Sequence, residues 1–137
     1  MSGELHRVFA QLGAAVDRLA EALAQPATNP LAVDGTIQRF EFTIELFWKA
    51  LKRLLAREGI EARTPREALQ RAYQAGWLAD ETAWLEMLRD RNETSPAYDE
   101  VLARKICERV RHNFPELQRT LTTLRLRLPA DDPSAAS

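Results

Sequence analysis

The chain has 137 residues, of which 45% are apolar and 28% are charged, and its formal net charge is −1. This length suffices for one domain with its own core, and the balanced charge argues against a surface built for non-specific nucleic-acid binding, although a local basic patch is compatible with it. The single cysteine, Cys107, excludes an intramolecular disulfide and a cysteine-based metal cluster, so a reducing, cytoplasmic setting is expected.

The first part of the chain predicts two long amphipathic helices. Helix one is expected from about Gly3 to Ala24, and helix two from about Leu31 to Glu58, with Gly59 just after its C-terminal cap. Besides its main apolar stripe, helix two has a narrower one that lies well round the cylinder and consists of Phe42, Leu46 and Ala50. A helix that is apolar on two sides must be covered on both, by other helices of the chain or by a second subunit.

Two shorter helices follow. Helix three opens with Thr64 as its N-cap and Pro65 at the first helical position, and Glu67 completes a capping box. This helix is expected to end at Gly76. Asp80 then caps helix four, which carries the residues from Trp84 onward.

The last predicted element is a long helix five that starts near Tyr98. Pro115 lies inside its apolar stripe, so we expect a kink or a restart there. The pattern indicates one all-α, antiparallel helical bundle over residues 1–128, followed by a disordered tail at 129–137. No apolar run is long enough to span a bilayer, the N-terminus has no signal-peptide pattern, and the sequence offers no phosphate loop or metal-ligand cluster, so we expect no membrane span, cofactor or metal.

Helix four carries the residues of greatest functional interest. Trp84, Met87, Leu88 and Arg91 recur at the spacing of one helix face, so an apolar stripe leads directly into an arginine. A guanidinium on such a face needs a partner, because it keeps its charge and is costly to bury alone. One interpretation is a structural ion pair with a carboxylate; the candidates are Glu41, Glu45 and Asp90. The other is a phosphate-binding role, since Asn92 follows directly and Tyr98 lies beyond a short break.

Five segments resemble the nucleotidyltransferase substrate-binding family, and they are residues 37–52, 64–69, 75–78, 84–92 and 94–100. The resemblance extends over roughly residues 5 to 115 in the same order, which is more specific than any one short motif. It implies a helical bundle of the HEPN class that forms a homodimer and is partnered with a minimal nucleotidyltransferase. Some members of this class act as the toxin half of a toxin–antitoxin pair.

The resemblance also assigns roles to residues around the end of helix four. HEPN ribonucleases carry Arg-x-x-x-x-His, extended in the toxin branch to Arg-x-x-x-x-His-x-Tyr, and here Arg91 and Tyr98 match while Pro96 replaces the histidine. Metal-independent RNA cleavage requires a proton to be taken up and another to be given, and proline has no group for either step. The resemblance therefore implies phosphate or nucleotide binding by Arg91 and Asn92, and makes Tyr98 the candidate acceptor of a nucleotidyl group.

Three functions follow as hypotheses. The leading one is a non-catalytic HEPN-type subunit that binds a minimal nucleotidyltransferase, with contact to nucleotide or RNA through that partner, and forms a homodimer through Phe42 and Leu46. The second is a metal-independent ribonuclease toxin that works despite Pro96 and is regulated by nucleotidylation of Tyr98. The third is a structural helical adaptor. The arginine-rich last helix is expected to be a solvated face or part of a partner surface.

Overall fold

Five α-helices and no strands form the part of the chain that the computed structural model describes, residues 2–26, 28–93 and 99–129. In chain order the helices are α1 (Ser2–Leu23), α2 (Pro30–Arg57), α3 (Pro65–Gln74), α4 (Glu81–Asn92) and α5 (Glu100–Arg125). The predicted all-α helical bundle is confirmed. Within these ranges, no helix combines the length and the apolar character needed to cross a membrane. The predictions for Pro96, Tyr98 and most of the tail fall on residues outside the described ranges.

Side chains of the predicted types start the helices. Thr64 Oγ1 accepts a hydrogen bond from the Glu67 N–H at 3.1 Å, and Asp80 Oδ1 accepts one from the Ala83 N–H at 3.0 Å. The capping box of α3 is formed with one change, because the Glu67 carboxylate accepts from the N–H of Arg63 rather than that of Thr64. These bonds satisfy backbone donors that have no partner inside the helix. The last helix begins two residues later than predicted, at Glu100, because Asp99 is its cap.

Glycines end α2 and α3 in the same way. Gly59 has φ 77° and Gly76 has φ 81°, a left-handed conformation that only glycine adopts without strain. After α2, the Ile60 N–H donates to the Leu55 carbonyl at 2.9 Å, which is the 6→1 bond of a Schellman motif, and the same pattern follows α3. Both predicted helix ends are therefore set by local backbone chemistry.

Helix α2 lies at the centre of the bundle and contacts each of the other four helices. Leu46 is only 6% exposed and Ala50 is fully buried within the single chain, whereas Phe42 is 62% exposed. Two of the three residues in this second stripe are thus covered by neighbouring helices of the same chain, which is one of the two alternatives that the sequence left open. Leu46 is a core residue rather than an interface residue, and Phe42 alone is left uncovered.

Helix α5 runs without interruption through Pro115. Of the predicted kink or restart, the restart is wrong, because Pro115 is exposed and water can replace the backbone hydrogen bond that proline cannot donate. On its inner side α5 packs against α1, α2 and α4, while α3 packs against α2 and α4. The end of α4 that carries Arg91 and Asn92 is therefore held between α2, α3 and α5.

Candidate functional site

Two aromatic rings fix α4 in the bundle. Trp84 is 1% exposed and its ring meets that of Phe47 edge-on, with 5.0 Å between the centroids. Its indole Nε1–H donates to Thr120 Oγ1 at 3.3 Å, so the one polar atom of the ring has a partner on α5. The apolar stripe predicted for α4 thus points into the core, and Arg91 follows it at the surface end.

Arg91 forms an ion pair with Glu45 of α2. The Nη2–Oε2 distance is 3.0 Å, and the side chains are 34% and 42% exposed, respectively. Glu45 is one of the three carboxylates that the sequence offered as partners for this arginine. Because the pair is half-exposed, water reaches it, and an incoming phosphate oxygen can compete with the carboxylate for the guanidinium.

A second ion pair lies directly beside the first, and sequence reasoning did not assign it. The Arg109 side chain of α5 donates from Nε to Asp90 Oδ2 at 3.0 Å and from Nη2 to Asp90 Oδ1 at 2.8 Å. The Asp90 side chain is 1% exposed, and this hydrogen bonding to Asp90 raises the pKa of Arg109. The signal for it was the spacing of Trp84, Met87 and Asp90 at successive intervals of three residues, which places a carboxylate on the side of α4 that carries two core residues.

Asn92 points to a different side of α4 from Arg91. It lines an open groove of about 510 Å³ between α3 and α4. The other residues that line this groove are Arg66, Thr82, Leu85, Glu86, Leu88 and Arg89. Arg91 and Asn92 were predicted as one phosphate site, but the structure brings Asn92 together with Arg66 and Arg89, and brings Arg91 together with Glu45.

The exposed face of α2 continues the surface around Arg91. Phe42 lies three residues before Glu45, a spacing that makes the two side chains neighbours on one helix face. A 62%-exposed phenylalanine therefore adjoins the Arg91–Glu45 ion pair.

Cys107 lines a different cavity from the groove that contains Asn92, and its thiol has low nucleophilic reactivity. It is half-buried beside a cavity of about 70 Å³, and its thiol donates to the Val33 carbonyl at 3.5 Å. Burial raises the pKa of the Cys107 thiol to about 11. The thiolate, which is the nucleophilic form, is therefore scarce at neutral pH.

Comparison with known proteins decides the family. The family described as nucleotidyltransferase substrate binding protein like matches residues 6–126, a span that includes α2 to α5 in full and most of α1. The chain belongs to this family. A crystal structure of a protein from Thermus thermophilus is similar to this member, with 34% identity over 85% of this chain and 98% of the other and a TM-score of 0.72. The search among curated proteins finds no match.

In this member of the family, the candidate residues lie on two sides of the C-terminal end of α4. One side holds the Arg91–Glu45 pair with Phe42 beside it, and the other is the groove that contains Asn92. Pro96 and Tyr98 belong to the family match but lie outside the described residues. Among the described residues, no group of three or more His, Cys, Asp or Glu side chains is placed to hold a metal ion.

Proposed function

We propose that this protein is a non-catalytic subunit of a minimal nucleotidyltransferase, which it binds in order to present a substrate or to serve as the enzyme's target. The observation that carries the proposal is the family match over residues 6–126, which spans nearly the whole helical bundle. A toxin–antitoxin-like pair is the setting we infer for the two proteins. The fold supplies a rigid support for recognition, and the exposed groups lie at the end of α4.

Arg91 is the residue to which we assign phosphate recognition in the complex. Its guanidinium is half-exposed and already oriented by Glu45 at 3.0 Å, so a phosphate can take over hydrogen bonds without a rearrangement of the core. Asn92 lies on the groove side of α4 and is assigned to a separate contact with the nucleotide. The Arg91–Glu45 pair also keeps the free subunit from presenting an uncompensated charge.

The sequence supports a binding role over a catalytic one. Pro96 stands where a HEPN ribonuclease has its histidine, and it supplies no proton donor or acceptor for RNA cleavage. Charge stabilisation by Arg91 alone would leave the proton-transfer barrier in place. Tyr98 has a hydroxyl that can act as a nucleophile, and we assign it as the acceptor of a nucleotidyl group delivered by the partner enzyme.

Co-expression with a minimal nucleotidyltransferase from the same genome is expected to yield a complex that survives affinity capture and size-exclusion chromatography. Incubation of that complex with nucleoside triphosphate should add the mass of one nucleotidyl group at Tyr98, and the Tyr98→Phe variant should bind the enzyme without gaining mass. Intact-mass spectrometry and peptide mapping measure both results. Separate elution of the two proteins would contradict the proposal, and mass added at another residue would remove the role of Tyr98.

The proposed subunit is a homodimer whose interface includes Phe42. Phe42→Asp is expected to convert the dimer into a monomer at micromolar concentration, because a carboxylate at the centre of an apolar contact loses its hydration without gaining a partner. Leu31→Asp is the matched control, since Leu31 is also on α2 and is 81% exposed. Analytical ultracentrifugation distinguishes the species. A monomeric parent protein, or a Phe42→Asp variant that stays dimeric, would exclude this interface.

A further inference from the structure

The groove between α3 and α4 has the form of a small-ligand site. Thr82, Leu85, Arg89 and Asn92 follow one line along α4 at intervals of three or four residues, over a length of about 15 Å at the usual rise of a helix. Arg66 enters from the first turn of α3. The groove volume, about 510 Å³, lies within the range usual for small-molecule sites. The cavity beside Cys107, at about 70 Å³, is too small for a ligand of that kind.

The charges that line the groove favour an anion. Arg66 and Arg89 are both exposed, and within the described part of the chain neither guanidinium group has a hydrogen bond or an ion pair. Among the described lining residues, Glu86 is the one carboxylate. Its Oε1 accepts a hydrogen bond from Asn113 Nδ2 at 2.9 Å, which ties that carboxylate to α5. Among the described residues, two unpaired guanidinium groups thus flank the groove, against one carboxylate that already has a partner.

We infer that this groove binds a nucleoside triphosphate directly on the subunit. Guanidinium groups bind phosphate oxygens in a bidentate manner, which assigns the phosphates to Arg66 and Arg89. The half-buried Leu85 and Leu88 offer apolar surface to a base or a ribose. The amide of Asn92 can both donate and accept, which suits a base edge or a ribose hydroxyl. The inference rests on the proposed function for the choice of a nucleotide and extends it by naming residues that the family motif does not include.

A protein partner fits the groove less well than a nucleotide. Stable protein interfaces concentrate their energy in a buried aromatic or apolar centre. Among the described residues, the apolar part of the lining consists of Leu85 and Leu88 and includes no aromatic side chain. The arrangement of a short apolar floor, two cations and one amide matches a ligand with an apolar ring at one end and phosphates at the other.

Titration of the purified protein alone with ATP tests the inference by calorimetry. Arg66→Gln and Arg89→Gln are each expected to raise the dissociation constant about tenfold, the usual effect of losing one charge-assisted contact. Arg104→Gln is the matched control, because Arg104 is exposed and unpaired among the described residues and lies on α5, so it should change the constant less than about twofold at moderate salt. Glu86→Gln should act in the opposite direction and tighten binding, since it removes the carboxylate and keeps an oxygen for Asn113.

Parallel titrations with tripolyphosphate and adenosine identify what the groove recognises. ATP should bind more tightly than either of them, because each lacks half of the contacts. Tripolyphosphate binding as tight as ATP binding would overturn the nucleotide assignment, as would an absence of ATP binding at millimolar concentration or an equal effect of Arg104→Gln. The result is independent of the partner enzyme: ATP binding without a complex contradicts only the proposed function, and a complex without ATP binding contradicts only this inference.

Discussion

Replacement of Trp84 by alanine is expected to lower the free energy of unfolding by about 3–5 kcal/mol, the largest effect of any single substitution in α4. The ring is 1% exposed and packs edge-on against Phe47, so its removal leaves a cavity between α2, α4 and α5. The loss also leaves the Thr120 hydroxyl without the indole N–H that donates to it. Urea unfolding followed by far-UV circular dichroism measures the change without depending on tryptophan fluorescence.

Two control variants separate the contributions to this effect. Trp84→Phe keeps most of the apolar contact and removes the hydrogen bond to Thr120, so a loss of about 1–2 kcal/mol is expected. Trp48→Ala changes the same residue type at a half-buried site on α2, where Lys52 lies over the ring at 5.5 Å, and should cost less than Trp84→Ala. Equal losses for Trp84→Ala and Trp48→Ala would show that the Trp84 contacts are not the anchor of α4.

Helix ends were the part of the fold that the sequence predicted best. Thr64 and Asp80 cap the helices to which they were assigned, and Gly59 and Gly76 adopt left-handed conformations just after the helices they end. Each of these features depends on residues within one turn of the chain, so no knowledge of the tertiary arrangement was needed. The exception is the start of α5, where Asp99 rather than Tyr98 marks the beginning of the helix.

The apolar periodicity of a helix does not indicate which neighbouring element buries each apolar stripe. The stripe of Phe42, Leu46 and Ala50 was correctly recognised as apolar, yet what covers it depends on how many helices surround α2. All four other helices contact α2, and this buries Leu46 and leaves Phe42 in solvent. The effect of Pro115 on α5 could not be predicted either, because it depends on whether the residue faces the core or water.

Only part of the candidate site could be predicted, because the pairing of its side chains depends on how the helices pack against one another. An ion pair at Arg91 was expected as one of two interpretations, but the choice of Glu45 over Glu41 or Asp90 depends on the rotation of α2 against α4. Asp90 is instead taken by Arg109, a residue nineteen positions away that the periodicity of α5 did not single out. The groove around Asn92 exists only because α3 starts beside α4, which no local pattern encodes.

The second large effect on stability is expected from the ion pair between Asp90 and Arg109, which lies beside Arg91. Arg109→Ala is expected to cost about 3–5 kcal/mol, because it leaves the Asp90 carboxylate, which is 1% exposed, as an uncompensated buried charge. Asp90→Ala should cost less, about 1–3 kcal/mol, because the Arg109 side chain is 31% exposed and can turn its guanidinium toward water. Chemical denaturation of the two variants under the same conditions measures this asymmetry.

The double variant Asp90→Ala/Arg109→Ala provides the decisive comparison. It removes both charges, so it should be more stable than Arg109→Ala alone, and the two single losses should not add. If Arg109→Ala costs no more than Asp90→Ala, or if the losses add, the pair behaves like an exposed salt bridge and does not hold the end of α4.

The distinction matters for function because Arg91 and Asn92 follow Asp90 directly. A loosened α4 end would weaken both candidate contacts, whereas Arg91→Ala removes one half-exposed ion pair and should impair phosphate recognition at nearly unchanged stability.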